Sequence, residues 1–122
     1  MTGADFLSPR ASILHEAEEL ICGDRNNSYG PPTQDFSRTA GVLNALGYRS
    51  PSGDIRPHDV AIFVAAVKLS RLMWSAGKRD NWTDLAGYAA CGHECVVMEE
   101  RNTRNGTTEE GCICPECEAG RA

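Results

Sequence analysis

The chain has 122 residues, a hydrophobic content of 41% and a formal net charge of −5 at pH 7, which suit one globular domain with an apolar core. The acidic balance argues against a general nucleic-acid binder, because such proteins carry a basic face. The longest apolar run, VAIFVAAV at 60–67, falls far short of the roughly 20 residues that span a bilayer. MTGADFLSPR at 1–10 lacks the apolar core of an export signal. We therefore expect a cytoplasmic protein without membrane association.

Helical spacing of apolar residues marks four segments, and no segment shows the alternation that is typical of a strand. The first helix is predicted over 8–23, where Ser8-Pro9 combines a capping residue with a proline in the first turn. The second is predicted over 33–46, after the turn-rich sequence GDRNNSYGPP.

The third helix is predicted over 57–75 and the fourth over about 80–100. The first half of the third is apolar nearly all round, which predicts the central, most buried helix of the fold. The sequence after residue 100 is polar and contains glycine. We predict an all-α bundle of about four helices over 8–100, followed at 101–122 by a polar linker and a short, flexible, cysteine-containing tail.

Charged residues interrupt the predicted third and fourth helices at helical spacing. Lys68 and Arg71 are three residues apart and share one side of the third helix. Asp80 and Asp84 are four apart on the fourth, and Tyr88 continues their line. If the two helices are antiparallel neighbours, the cations are expected to meet the carboxylates.

This cluster has two interpretations that spacing alone does not separate. In the structural one, the charges pair with each other and fix the register of a helix hairpin, and Asp59 is a helix N-terminal residue. In the other, Lys and Arg bind phosphate oxygens while the carboxylates hold Mg²⁺. The loop before the second helix would then add Asp24, Arg25 and the ring of Tyr29 to the ligand site.

The cysteines suggest a second site. Cys112, Cys114 and Cys117 crowd into GCICPEC, and CPxC is a common half of a zinc site. A tetrahedral structural zinc site needs a fourth ligand, which Cys91 and Cys95, one helical turn apart, would supply. Alternatively, these two are small core residues and the tail binds no metal.

Short motifs follow one another in order across about residues 11–95: GDR at 23–25, YG at 29–30, PxDVA at 57–61, KxxR at 68–71, RDxxxD at 79–84 and GYA at 87–89. Through this series the chain resembles a group of small phage and prophage proteins, many of unassigned function. It is similar to the nucleotide-modification-associated domain of phages and, more distantly, to MazG-like all-α nucleoside triphosphate pyrophosphohydrolases.

The resemblance implies a helical homo-oligomer that handles nucleotides in the cytoplasm of an infected host cell. MazG-like enzymes hold Mg²⁺ with an ExxE pair on one helix and ExxD on the next, and hydrolyse between the α and β phosphates. In this chain Lys68 and Arg71 occupy positions where the MazG-like pattern requires acidic residues, and a DxxxD segment replaces ExxD. Glu16 and Glu19 have the ExxE spacing, which a solvated helix face explains equally well.

Three functions follow as hypotheses. In an Mg²⁺-dependent pyrophosphohydrolase, the basic side chains of the cluster would neutralise the phosphates of the substrate, and acidic side chains would hold the metal and activate water. The candidate acidic residues are Asp80, Asp84, Glu19 and Asp59. A non-catalytic protein would use the same cations to sequester a nucleotide or a cyclic-nucleotide defence signal. A structural oligomerisation module would use the charges only as an ion-pair network.

Overall fold

The computed structural model describes residues 8–23 and 28–104. Across these two ranges it shows four long α-helices and no β-strand: α1 (Pro9–Cys22), α2 (Pro32–Ala45), α3 (Pro57–Trp74) and α4 (Arg79–Arg104). This confirms the predicted all-α bundle. Cys112, Cys114 and Cys117 lie outside the described residues.

The helices begin where the local sequence favours a start. The Ser8 hydroxyl accepts a hydrogen bond from the backbone N–H of Ala11 at 3.2 Å, which caps α1. A proline lies in the first turn of α1, α2 and α3, where its missing N–H removes no helical hydrogen bond. At the other end of the bundle, α4 continues to Arg104 rather than ending near residue 100.

Helices α3 and α4 form an antiparallel hairpin, joined by the short connection 75–78. At one end the backbone N–H of His58 donates to a Glu99 carboxylate oxygen over 3.1 Å. In the middle the helices approach closely at Gly92, where an added Cβ would lie only 3.0 Å from the Cβ of Ala61. This hairpin sets which residues of α3 face α4.

The core lies where α2, α3 and α4 meet. Its buried members are Phe36, Ala40, Ile55, Val60, Ala61, Cys91 and Cys95. Helix α1 packs mainly against α4. The connection between α2 and α3 is held by Asn44, whose amide oxygen accepts from the Ile55 N–H at 2.7 Å and whose amide nitrogen donates to the Ile55 carbonyl at 3.0 Å.

The expectation that α3 is the most buried helix is wrong for the single chain. Only Val60, Ala61 and Leu72 of α3 are buried, whereas large apolar side chains such as Trp74 are exposed on its outer side. The α2 and α4 helices cover one side of α3 and leave the other open. None of the described helices combines the length and apolarity that a membrane span requires.

Candidate functional site

One ion pair joins the middle of α3 to the beginning of α4. The Nζ atom of Lys68 lies 3.0 Å from Oδ2 of Asp84, and the two side chains are 14% and 32% exposed. A charge this deeply placed is tolerated only when an opposite charge compensates it. The expected meeting of cations on α3 with acids on α4 therefore occurs through this pair.

The other two members of the predicted cluster do not add a second pair. Arg71 and Asp80 are exposed, and neither side chain forms an ion pair with another residue in the described ranges. Three residues advance a helix by about 300°, so Arg71 projects about 60° away from Lys68, toward the open side of α3. The structure thus forms one of the two ion pairs that the spacing suggested.

A cavity of about 480 Å³ lies between α1 and α4, within the size range of small-molecule sites. Three carboxylates from two helices line it, those of Glu16, Glu19 and Asp84, together with the side chains of Thr83 and Tyr88. The remaining lining is apolar or glycine: Ala17, Leu20, Ile21, Gly87 and Cys91. Residues three and four apart share a helix face, which is why Asp84 and Tyr88 open onto the same cavity.

The acids of α1 differ in how firmly they are paired. Glu16 is bound by Arg79, whose Nε lies 2.8 Å from Oε1. The same guanidinium donates to the Ser12 hydroxyl at 2.9 Å and so ties α1 to the start of α4. Glu19 is more exposed and contacts only His15, at 3.4 Å, among the ion pairs of the described residues. Glu19 is therefore the carboxylate of the cavity that is most accessible to a cation.

Arg79 is the positioning residue that the sequence interpretation missed. In the sequence it is only the basic member of the RDxxxD motif, because its partner in α1 is 63 residues away along the chain. The spacing of neighbouring residues in a sequence does not predict a contact between residues so far apart along the chain. The one signal in the sequence is that a basic residue opens α4, where the helix dipole favours an acid, and this indicates a partner elsewhere.

The aromatic and loop residues that were predicted to bind a ligand have three different outcomes. Tyr88 lines the cavity, but its ring also packs in the core, with its centroid 6.4 Å from that of Phe36 and the planes tilted by 51°. Tyr29 is exposed and is not part of the cavity lining. Asp24 and Arg25 lie outside the described residues, so their part in a ligand site stays a prediction.

Asp59 is not brought to the cavity. Its Oδ2 accepts a hydrogen bond from the backbone N–H of Arg56 at 2.9 Å and caps α3, and its Oδ1 lies 3.5 Å from His58 Nε2. The ring of His58 is also 2.8 Å from a Glu99 carboxylate oxygen. Because α3 and α4 are antiparallel, this group lies at the far end of the hairpin from Asp84. Asp59 therefore serves the helix cap.

Cys91 and Cys95 are core residues, 3% and 1% exposed. Burial, with a smaller contribution from the nearby Glu99 carboxylate, raises the pKa of the Cys95 thiol to about 11. A protonated thiol is a poor metal ligand, because it is the thiolate that binds. Within residues 8–23 and 28–104, no three His, Cys, Asp or Glu side chains are grouped so that they could hold a metal ion. A zinc site that includes the tail cysteines stays a prediction.

Fold and cavity together define an all-α bundle with an acidic cleft between its first and last helices. The chain belongs to a family of proteins whose role is not assigned: residues 12–96 match the family model described as "Domain of unknown function (DUF6378)". The resemblance to proteins of unassigned function is therefore confirmed at the level of this family.

Two curated relatives come from mycobacteriophages. The "Gene 55 protein" of Mycobacterium phage D29 is 40% identical over 80 residues, which are 66% of this chain and 50% of that protein. The "Gene 55 protein" of Mycobacterium phage L5 is 32% identical over 95 residues, or 78% of this chain and 59% of that protein. The chain thus spans little more than half the length of these relatives. No solved structure matches it significantly.

Proposed function

We propose that this protein binds a phosphorylated nucleotide together with Mg²⁺ in the cleft between α1 and α4, in the manner of MazG-like nucleoside triphosphate pyrophosphohydrolases. The observation that carries the proposal is that Glu16 and Glu19, which have ExxE spacing, line the same cavity as Asp84. Carboxylate oxygens are the ligands that Mg²⁺ prefers. A cleft of this charge repels a bare phosphate and attracts one that arrives with a divalent cation.

The geometry favours a cation that is shared between protein and ligand. No three acidic side chains in the described part are grouped tightly enough to hold a metal by themselves. Mg²⁺ usually takes only one or two protein carboxylates and completes its shell with water and substrate phosphates. Glu19 and Asp84 fit that role, because one is accessible and the other is kept in place by Lys68.

In the enzymatic form of the proposal, Glu19 and Asp84 would hold the cation, which would polarise the α-phosphate when bound, and a carboxylate of the cleft accepts a proton from the attacking water. Water adds to the α-phosphorus, the bond to the bridging oxygen between the α and β phosphates breaks, and a nucleoside monophosphate and pyrophosphate leave. Lys68 orients Asp84 through its ion pair, and Arg79 does the same for Glu16. The setting would be the cytoplasm of a phage-infected cell.

The second candidate is sequestration of a nucleotide or a cyclic nucleotide without hydrolysis. It is favoured by the Lys68–Asp84 ion pair, which engages the one acid that α4 contributes to the cavity. It is also favoured by the absence of an ExxD motif from α4. Under this alternative the cleft retains its ligand and returns it unaltered.

A thermal-shift panel of nucleoside triphosphates and cyclic nucleotides, with and without Mg²⁺, tests the proposal. A ligand at about 100 times its Kd stabilises a protein by about 2.7 kcal/mol, which would raise the Tm of a domain of this size by roughly 10 °C. Glu19→Gln should abolish the shift that needs Mg²⁺. Asp80→Asn is the matched control, because Asp80 is exposed and does not line the cavity.

Product analysis then separates the two candidates. Release of pyrophosphate only in the presence of Mg²⁺, lost in Asp84→Asn, supports hydrolysis, whereas a Tm shift with unaltered ligand supports sequestration. If no member of the panel changes the Tm, nucleotide binding is refuted and the charges serve the ion-pair network alone.

A further inference from the structure

The outer side of α3 is a continuous apolar surface. Its members, called here the outer face, are Ile62, Phe63, Ala66, Val67, Leu69, Ser70, Met73 and Trp74. Met73 and Trp74 are 89% and 93% exposed, and the other four large apolar side chains are 45–60% exposed. The outer face itself contains no charged residue, and the exposed Arg71 lies beside its edge. Scattered exposed apolar residues are normal, but a contiguous patch of this extent marks an interaction surface.

The spacing of the outer face is that of a helix which packs on another helix. Ile62, Ala66, Leu69 and Met73 follow each other at intervals of four, three and four residues, the repeat that keeps a seam facing a partner helix. A second stripe with the same intervals begins one residue later, at position 63. The two stripes together make a face broad enough for the ridges and grooves of a helical neighbour.

The order of large and small side chains along the outer face is nearly the same in both directions from position 68. Each end carries a large pair, at 62–63 and at 73–74, and the small residues Ala66 and Ser70 lie symmetrically between them. If two copies of this helix cross antiparallel, each large pair meets the other large pair. Ala66 then faces Ser70 where the axes cross, and small side chains there let the helices approach closely. A self-complementary pattern is what a two-fold interface requires.

We infer that α3 pairs through its outer face with α3 of a second copy of this chain, antiparallel and about a two-fold axis near residue 68. The exposed fractions of its six large apolar residues leave at most on the order of 800 Å² of this face open to a partner, which is comparable with the share that one partner contributes to a standard stable interface. Pairing would bury the side of α3 that α2 and α4 leave open. The burial of α3 that its apolar sequence predicts would then be complete.

Light scattering coupled to size-exclusion chromatography tests the inference. The wild-type chain of 13.2 kDa should elute with twice that mass, and Ala66→Glu should elute as a monomer. Ala66 is exposed in the single chain, so this change leaves the intrachain core intact, and circular dichroism should report unchanged helix content. Ala90→Glu is the matched control, because Ala90 is an exposed alanine within α4, and it should remain dimeric.

A charge pair tests the direction of the two helices. Ala66→Lys or Ser70→Glu alone should weaken the dimer, since each buries an uncompensated charge. The double variant should recover it, because in the antiparallel arrangement position 66 of one chain faces position 70 of the other. In a parallel arrangement like charges would face each other, and the double variant would stay monomeric. A monomeric wild-type protein, or a dimer that survives Ala66→Glu, overturns the inference and leaves the face to another partner.

Discussion

Replacing Lys68 by methionine removes a charge and keeps most of the length of the side chain. Exposed ion pairs contribute about 0–1 kcal/mol, whereas removing one partner of a buried pair costs roughly 3–5 kcal/mol. With exposures of 14% for Lys68 and 32% for Asp84, this pair lies between the two limits. We therefore expect Lys68→Met to lower the free energy of unfolding by about 1–2 kcal/mol, between the exposed and buried values, because Asp84 is left partly buried without its counter-charge.

Urea denaturation followed by circular dichroism measures the effect. A small domain loses roughly 1–2 kcal/mol of stability per molar urea, so the midpoint should fall by about 1 M. A double-mutant cycle with Asp84→Asn should give a coupling free energy of about 1 kcal/mol. Lys78→Met is the control, because Lys78 is exposed and forms no ion pair in the described ranges. If Lys68→Met is no more destabilising than this control, the pair does not stabilise the hairpin and its role in orienting Asp84 fails with it.

Two further predictions concern helix contacts and thiol chemistry. Gly92→Ala should destabilise the protein, because the new methyl group would press on Ala61 of the facing helix. Gly41 has open space around it, so Gly41→Ala should stabilise the protein by up to about 1 kcal/mol through helix propensity. Urea midpoints that move in the same direction for both variants would contradict this prediction. Since its pKa of about 11 lies well above neutrality, Cys95 should resist iodoacetamide at pH 8 and react only as the pH approaches that value. The exposed Cys22 should be alkylated readily, and equal labelling of both in a peptide mass map would contradict the buried placement of Cys95.

The positions of the four helices could be predicted because their signals are local. Ser8 with Pro9, and the prolines at 32 and 57, each mark a helix start within one turn of the chain. The hairpin register could be anticipated in part, since Lys68 and Asp84 belong to the charges whose helical spacing predicted a meeting between the third and fourth helices. Such features depend on residues close in sequence or on one short connection.

The cavity could not be predicted, because it depends on how α1 lies across α4. Glu16 and Glu19 have a recognisable spacing, but nothing in the sequence shows that they share a cavity with Asp84 or that Arg79 binds Glu16. The burial of α3 also differs from the sequence prediction, for a related physical reason. A helix that is apolar on all sides is expected to be buried by other elements. The sequence does not show whether those elements belong to the same chain or to another one.

The Asn44 side chain has a consequence for chemical ageing of the protein. Its carboxamide supplies one donor and one acceptor to the backbone of Ile55, as a neighbouring strand would in a sheet. Conversion of that amide to a carboxylate, the ordinary deamidation of asparagine, would exchange the donor for a negatively charged oxygen facing a carbonyl. The loop between α2 and α3 would then keep the hydrogen bond from the Ile55 N–H and lose the one to the Ile55 carbonyl, so a change of one side-chain group would loosen the junction between the two helices.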